Sequence, residues 1–277
     1  MSNIIYLNGT FINEEEACIS PNDRGFLFAD GVYEVVKYYN GKAFRLFDHQ
    51  ERLTRSLKEI GIKWNTSELE NIFTRLINQN SKQNKHAGIY LQVTRGTATR
   101  VHYYPDGIKP TIYAFAFDLP SFFQKLENGI KVIINDDIRW QRCDIKSVSL
   151  LPNTMLFNQA HQSGAGECIL VRDGWVTEAT HSSVFCVKNG VVITRPLSNL
   201  ILPGITRKVI LEICVKNNIP FEERLFTPEE LFEMDEVFMA GTGSEICPVI
   251  QIEDRKIADG KPGKVTRMLQ KLFFELT

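Results

Sequence analysis

The sequence of 277 residues predicts an α+β fold in two domains, a small amino-terminal α/β domain and a larger carboxy-terminal domain of antiparallel strands with helices. Three observations predict it. Asn40-Gly41 and Asn189-Gly190 each lie between runs rich in β-branched and aromatic residues, a strong hairpin signal. Amphipathic helical stretches are mixed in among these hairpins, which argues against a doubly wound sheet. The stretch DLPSFFQKLEN, residues 118–128, interrupts the pattern and reads as a linker between residues 1–117 and residues 129–277.

Taken in order, residues 3–7 and 9–12 read as two short strands about the turn Asn8-Gly9-Thr10, and residues 20–25 as a loop. Val32 to Tyr39 is a strand, and Lys42 to Leu46 returns after the turn. Asp48-His49-Gln50-Glu51 has the form of a capping box ahead of Leu53, Leu57 and Ile60 on one helical face, with Gly61 as the stop. Ser67-Glu68-Leu69-Glu70 repeats the device before the stripe Leu69, Ile72, Phe73, Leu76 and Ile77. Strands are expected over 88–94, 111–117, 130–135, 168–172, 184–188, 191–195, 236–240 and 249–252. Helices are expected over 153–162, 205–217 and 263–276.

Composition narrows the function. Hydrophobic residues make up 43% and charged residues 23%, as in a soluble globular protein. The net charge of −1 gives no electrostatic case for nucleic acid or an anionic membrane. No apolar run approaches the roughly 20 residues of a membrane span. The first residues lack the layout of a secretory signal. The six cysteines, Cys18, Cys143, Cys168, Cys186, Cys214 and Cys247, form no C-x-x-C pair and no zinc spacing with histidine. They read as reduced, mostly buried thiols of a cytoplasmic protein, with no metal site.

The chemistry concentrates in residues 137–185. Lys146 lies in an apolar context, between Ile145 and the run Val148, Leu150, Leu151. A lysine kept partly out of water becomes a usable amine nucleophile. Glu178 lies just past the hairpin turn Asp173-Gly174. A solvated surface lysine and an ordinary edge glutamate are the bland alternatives. Anion donors occur elsewhere. Gly204-Ile205-Thr206 opens a helix whose first N–H groups point outward. Gly241-Thr242-Gly243-Ser244 is a turn after a strand, and Arg52 offers a bidentate fork. Arg100-Val101-His102 places two candidate cations two residues apart, on one face of an extended segment, and Tyr33 adds a phenol. A solvated basic loop is the alternative there. Asp136-Asp137 reads as a polar turn, Trp140 and Tyr90 as packing or pocket wall, and His86 and His161 as ordinary residues.

Asp144-Ile145-Lys146-Ser147 and Thr177-Glu178-Ala179-Thr180 resemble the lysine and glutamate signatures of the fold-type IV pyridoxal-phosphate enzymes, and the resemblance runs from about Tyr6 to about Leu269. It implies pyridoxal 5′-phosphate as cofactor, held by Lys146 as a Schiff base with Glu178 at the ring nitrogen. It also implies Arg52, Ile205, Thr206 and Thr242 as phosphate ligands and Leu202 as the apolar residue against the ring. His49-x-x-Arg52-Leu53 and Gly204-Ile205-Thr206-Arg207 match the family pattern. The Arg100-x-His102 phrase resembles the substrate carboxylate trap of the D-amino acid transaminases, completed by tyrosine, here Tyr33. That likeness implies ping-pong transamination between a D-amino acid, D-alanine foremost, and a 2-oxo acid such as 2-oxoglutarate. It further implies a homodimer in which the Arg100/His102 loop completes the neighbouring active site. Branched-chain aminotransferases and aminodeoxychorismate lyases share the fold and generally lack the R-x-H pair. A non-enzymatic phosphate-ligand binder is a further alternative. The chain departs from the family pattern at His181, where small residues are usual, and at Gly241 and Gly243, where relatives often carry a hydroxyl.

Overall fold

The structure, a computed structural model, describes residues 3–119 and 122–277. It divides into two units: residues 1–120 with 145–149, and residues 121–144 with 150–277. The expected large domain is therefore not one stretch, because residues 145–149 are counted with the first unit. The cause is backbone pairing. Ser147 bridges Val32, the Tyr33 N–H donates to Lys146 O at 2.9 Å, and the Val148 N–H donates to Gly31 O at 3.1 Å.

In the first unit, β1 (Ile4–Leu7), β2 (Thr10–Asn13), β3 (Gly31–Tyr39), β4 (Lys42–Ala43), β5 (Ala87–Thr94) and β6 (Thr111–Asp118) form one sheet in the order β2-β1-β6-β5-β3-β4. All of its pairings are antiparallel. The hairpin between β3 and β4 forms where Asn40 and Gly41 take φ of 48° and 79°, the doubly positive turn that Asn-Gly favours. A short helix α1 (Arg24–Phe28) lies in the segment read as a loop, capped by the Asp23 carboxylate accepting from Gly25 N–H. Helices α2 (Leu46–Glu59) and α3 (Leu69–Gln79) bury Leu53, Leu57, Leu69, Phe73 and Leu76 against Val32, Val36, Ile89 and Leu91.

Both expected capping boxes are displaced. α2 starts at Leu46 after Arg45, which adopts φ 58°, and Asp48 pairs with Arg45 from inside the first turn. α3 is preceded by a single 3-10 turn, Thr66–Glu68, whose cap is the side-chain Oδ1 of Asn65 accepting from Ser67 N–H. Neighbouring residues set these ends: Arg45 in the left-handed region precedes α2, and the Asn65 cap opens the turn ahead of α3.

The second unit begins with α4 (Phe123–Asn128), so much of the expected linker is helical. It continues with β7 (Ile130–Asp136), α5 (Leu151–Gln162), β8 (Glu167–Arg172), β9 (Trp175–Ala179), β10 (Ser183–Lys188), β11 (Val191–Thr194), α6 (Ile205–Lys216) and β12 (Phe221–Glu223). It ends with α7 (Pro228–Leu231), β13 (Glu236–Gly241), β14 (Glu245–Ile252), β15 (Arg255–Lys256) and α8 (Lys264–Phe274). The sheet runs β12-β11-β10-β13-β14-β7-β8-β9, with β15 on β14. Antiparallel pairing dominates, but β12 on β11, β7 on β14 and β8 on β7 are parallel. Its core joins Val132, Ile169, Val176, Val184, Val237, Met239 and Val249. No helix among the described residues is long and apolar enough to cross a membrane.

Candidate active site

Alternation along β3 sends Val32, Glu34, Val36 and Tyr38 to the core face and Tyr33 to the other. A glutamate on a core face must be paired or it costs several kcal/mol. Glu34, fully buried, takes Arg52 Nε at 2.8 Å, Arg52 Nη2 at 2.8 Å and His49 Nδ1 at 2.8 Å, all from α2. His49 and Arg52 stand three apart on α2, on the face that meets the sheet. Burial opposes the Glu34 charge, yet the Arg52 guanidinium and the His49 contact hold its carboxyl well below the usual range. His49 is pushed below its ordinary value by burial, with Arg52 and Lys146 adding to the effect against Glu34.

Lys146 is half-buried, and its backbone is pinned by Ser56 Oγ, which accepts from its N–H at 3.3 Å. Its Nζ lies 4.2 Å from the centre of the Tyr33 ring. Among the described residues no carboxylate pairs with that ammonium. Tyr33 in turn stacks on Tyr90, with centroids 5.7 Å apart. The first unit thus brings Tyr33, Lys146, His49 and Arg52 into one neighbourhood. Arg100 and His102 are exposed and share the Phe28 ring of α1, at 5.0 Å and 5.5 Å. Arg24 Nη1 ties the same loop down through Val101 O at 2.6 Å.

In the second unit, a register shift between β8 and β9 inserts one extra residue between Val176 and Ala179. Strict alternation would send Thr177 and Glu178 to opposite faces. The shift lets both reach the segment Asp137–Arg139. Thr177 Oγ1 donates to Asp137 Oδ2 at 2.9 Å, and Arg139 Nη1 donates to Glu178 Oε1. The Leu202 N–H donates to both Glu178 oxygens at 3.2 Å, so Glu178 and Leu202 are brought together. Burial raises the Glu178 carboxyl above its ordinary range, against the pull of Arg139 and the Leu202 N–H. Asp137 is buried rather than a polar turn residue: Arg139 and Arg172 satisfy its charge. Sequence reading missed Arg139 altogether. The one signal was the spacing Asp137-x-Arg139, which on an extended segment turns both side chains to one face.

Leu202 leads directly into the start of α6. Gly204 is its N-cap, with no side chain capping the first turn. A Cβ at Gly204 would come 2.9 Å from Ser183 Oγ, so glycine keeps this corner tight. Thr206, 4% exposed, has a hydroxyl with no protein partner among the described residues. Ser182 Oγ and Ser244 Oγ lie 3.1 Å apart, and a Cβ at Gly241 would come 2.8 Å from Ser244 Oγ and 3.2 Å from Ser182 Oγ. The departure at Gly241 therefore makes room for a hydroxyl pair instead of simply removing one. Thr242, half-buried, tops the same turn. His181, the other departure, pairs through Nδ1 with the buried Glu167 at 2.9 Å and stands edge-on to Phe157.

The family model for class IV amino-transferases matches residues 31–252. A D-alanine aminotransferase of Bacillus licheniformis is 42% identical over 268 residues, covering 96% of this chain and 94% of that protein. A D-alanine aminotransferase of Staphylococcus haemolyticus is 44% identical over 272 residues, covering 97% and 96%. The Escherichia coli branched-chain amino acid aminotransferase superposes with a TM-score of 0.92 at 26% identity, covering 100% of this chain and 95% of that one. The branched-chain aminotransferase of Thermoproteus uzoniensis, solved with norvaline, is 28% identical with a TM-score of 0.89, covering 99% and 94%. A family match over most of the chain, with relatives above 40% identity across nearly all of it, leaves one conclusion: the chain belongs to the class IV aminotransferases.

Proposed function

We propose that this chain is a pyridoxal-phosphate-dependent D-amino acid transaminase that exchanges the amino group of D-alanine with a 2-oxo acid, 2-oxoglutarate foremost. The observation that carries the substrate assignment is the Arg100–His102 pair gathered on Phe28, in a chain 42–44% identical to D-alanine aminotransferases.

The residues present fit the cofactor. Thr206, itself 4% exposed, offers a hydroxyl with no protein partner among the described residues, at a helix start that no side chain caps and that carries the positive end of the macrodipole. Arg52, Ile205, Thr206 and Thr242 would hold the phosphate, with Ser182 and Ser244 as neighbouring hydroxyls. Leu202 would lie against the ring. When bound, the cofactor supplies an aldehyde for the substrate amine and a protonated ring that draws electrons from Cα.

The chain's own groups do the rest. Lys146 Nζ anchors the cofactor and then serves as general base, moving the proton of the substrate Cα. The Tyr33 ring, 4.2 Å from Nζ, helps to place that amine. Glu178 would supply the counter-charge to a protonated ring nitrogen. Arg100 and His102 grip the substrate carboxylate, with Tyr33 as a third donor. In a homodimer that loop, exposed here, completes the neighbouring site. Among the described residues the six cysteines are free thiols, five buried and Cys18 exposed, which suits a reducing cytoplasm.

Lys146→Ala tests this reading. Borohydride treatment of the native protein should leave a permanent cofactor adduct on Lys146, and the variant should form none and lose at least about 1,000-fold in turnover, as removal of a base and nucleophile does. Full turnover in the variant would overturn it. Pyruvate release with no amino acceptor, using aminodeoxychorismate, would assign the chain to the lyases instead.

A further inference from the structure

We propose that Arg139 is a positioning residue for the reaction: anchored on Asp137, it holds Glu178 in one rotamer and supplies its counter-charge. This rests on the functional reading above.

The geometry has three parts. Asp137, whose side chain is fully buried, accepts from Arg139 Nε at 2.8 Å, from Nη2 at 2.8 Å and from its backbone N–H at 3.1 Å. That fork leaves no rotational freedom in the guanidinium, and Nη1 is the edge directed at Glu178 Oε1. Arg172 then closes the assembly from behind. It pairs with Asp137 Oδ1 at 3.1 Å and donates to the carbonyls of Asp137 and Arg139 at 3.1 Å and 2.6 Å. Two carboxylates and two guanidinium groups make a neutral set, so the buried charges compensate one another.

The consequence lies in what Glu178 has left. Arg139 engages Oε1, while among the described residues Oε2 receives only the shared Leu202 N–H at 3.2 Å. A donor arriving at Glu178 therefore meets an oxygen already oriented and still short of hydrogen bonds. Without Arg139, burial alone would favour the protonated acid, which offers a ring N–H no counter-charge. The β9 bulge serves the same end, since it brings Thr177 onto Asp137 beside Glu178.

The test uses the holoenzyme and the variants Arg139→Met and Arg139→Lys, checked for native circular dichroism and melting. Three quantities are read: the rate of cofactor loss into a trapping apoprotein, the pH titration of the bound chromophore, and kcat separately from KM. Arg139→Met should release cofactor at least tenfold faster, shift the chromophore titration, and lose kcat with little change in KM for the 2-oxo acid. Arg139→Lys, which restores the charge without the fork, should recover part of each. Release and titration within twofold of the native protein in Arg139→Met would overturn the inference. Should Arg139→Met not fold, Asp137→Asn is read in its place, with faster release expected and unchanged release refuting. A native protein that binds no cofactor at all would instead sink the functional reading.

Discussion

Replacing Glu34 by glutamine isolates the buried charge beneath the Lys146 neighbourhood. Glu34 is fully buried and receives three donors at 2.8 Å, two from Arg52 and one from His49. The amide keeps the shape but loses the charge, and its NH2 faces donors instead of accepting from them. Removing one partner of a buried pair typically costs about 3–5 kcal/mol, because the other charge is left uncompensated. At roughly 2–4 °C per kcal/mol, Tm should fall by about 6–20 °C. The pH dependence provides an independent check. Because the folded carboxyl lies below its unfolded value of about 4.3, its contribution is complete above that pH and is lost as pH falls below it. Thermal melts of the native protein should therefore decline between about pH 5 and pH 3, and Glu34→Gln should flatten that decline. A variant melting within about 2 °C of the native protein at pH 7, with the same acid slope, would refute the argument that this pairing carries stability.

Arg100→Met and His102→Ala should each raise KM for D-alanine at least about tenfold, the value of one charge-assisted contact, while cofactor content stays unchanged. An unchanged KM in both would remove the loop from substrate binding. Gly96 adopts φ +99°, and a Cβ there would meet Lys109 O at 2.0 Å, at the point where the two ends of the loop carrying Arg100 and His102 close. Gly96→Ala should destabilise by about 1–3 kcal/mol and raise KM for D-alanine without loosening the cofactor. Wild-type melting in that variant would show that the loop closure tolerates a side chain.

Much of the fold was legible because its signals are local. Asn40-Gly41, the stripe of α3 and the start of α6 after Pro203-Gly204 each depend on residues within a turn of one another. What was not legible depends on distant partners. Residues 145–149 belong with the first unit through pairing of Ser147 with Val32, a partner more than a hundred residues away, and nothing near Lys146 announces it. Asp137 was read as a turn residue because its partners, Arg172 and Thr177, come from β8 and β9. The capping boxes at Asp48 and Ser67 were chemically sound, but neighbouring residues set the helix starts instead. At the candidate site, motif likeness supplied the residue list. It could not show that Arg52 spends Nε and Nη2 on Glu34, or that Gly241 clears space for Ser182 and Ser244.

The most direct measurement is a half-reaction. Purified holoenzyme is mixed with D-alanine and no 2-oxo acid, and the absorbance of the bound cofactor is followed beside the pyruvate released. D-Alanine should convert the chromophore to its aminated form with one pyruvate per subunit, while L-alanine and L-leucine leave it unchanged over the same period. Conversion driven faster by L-leucine than by D-alanine would contradict the account.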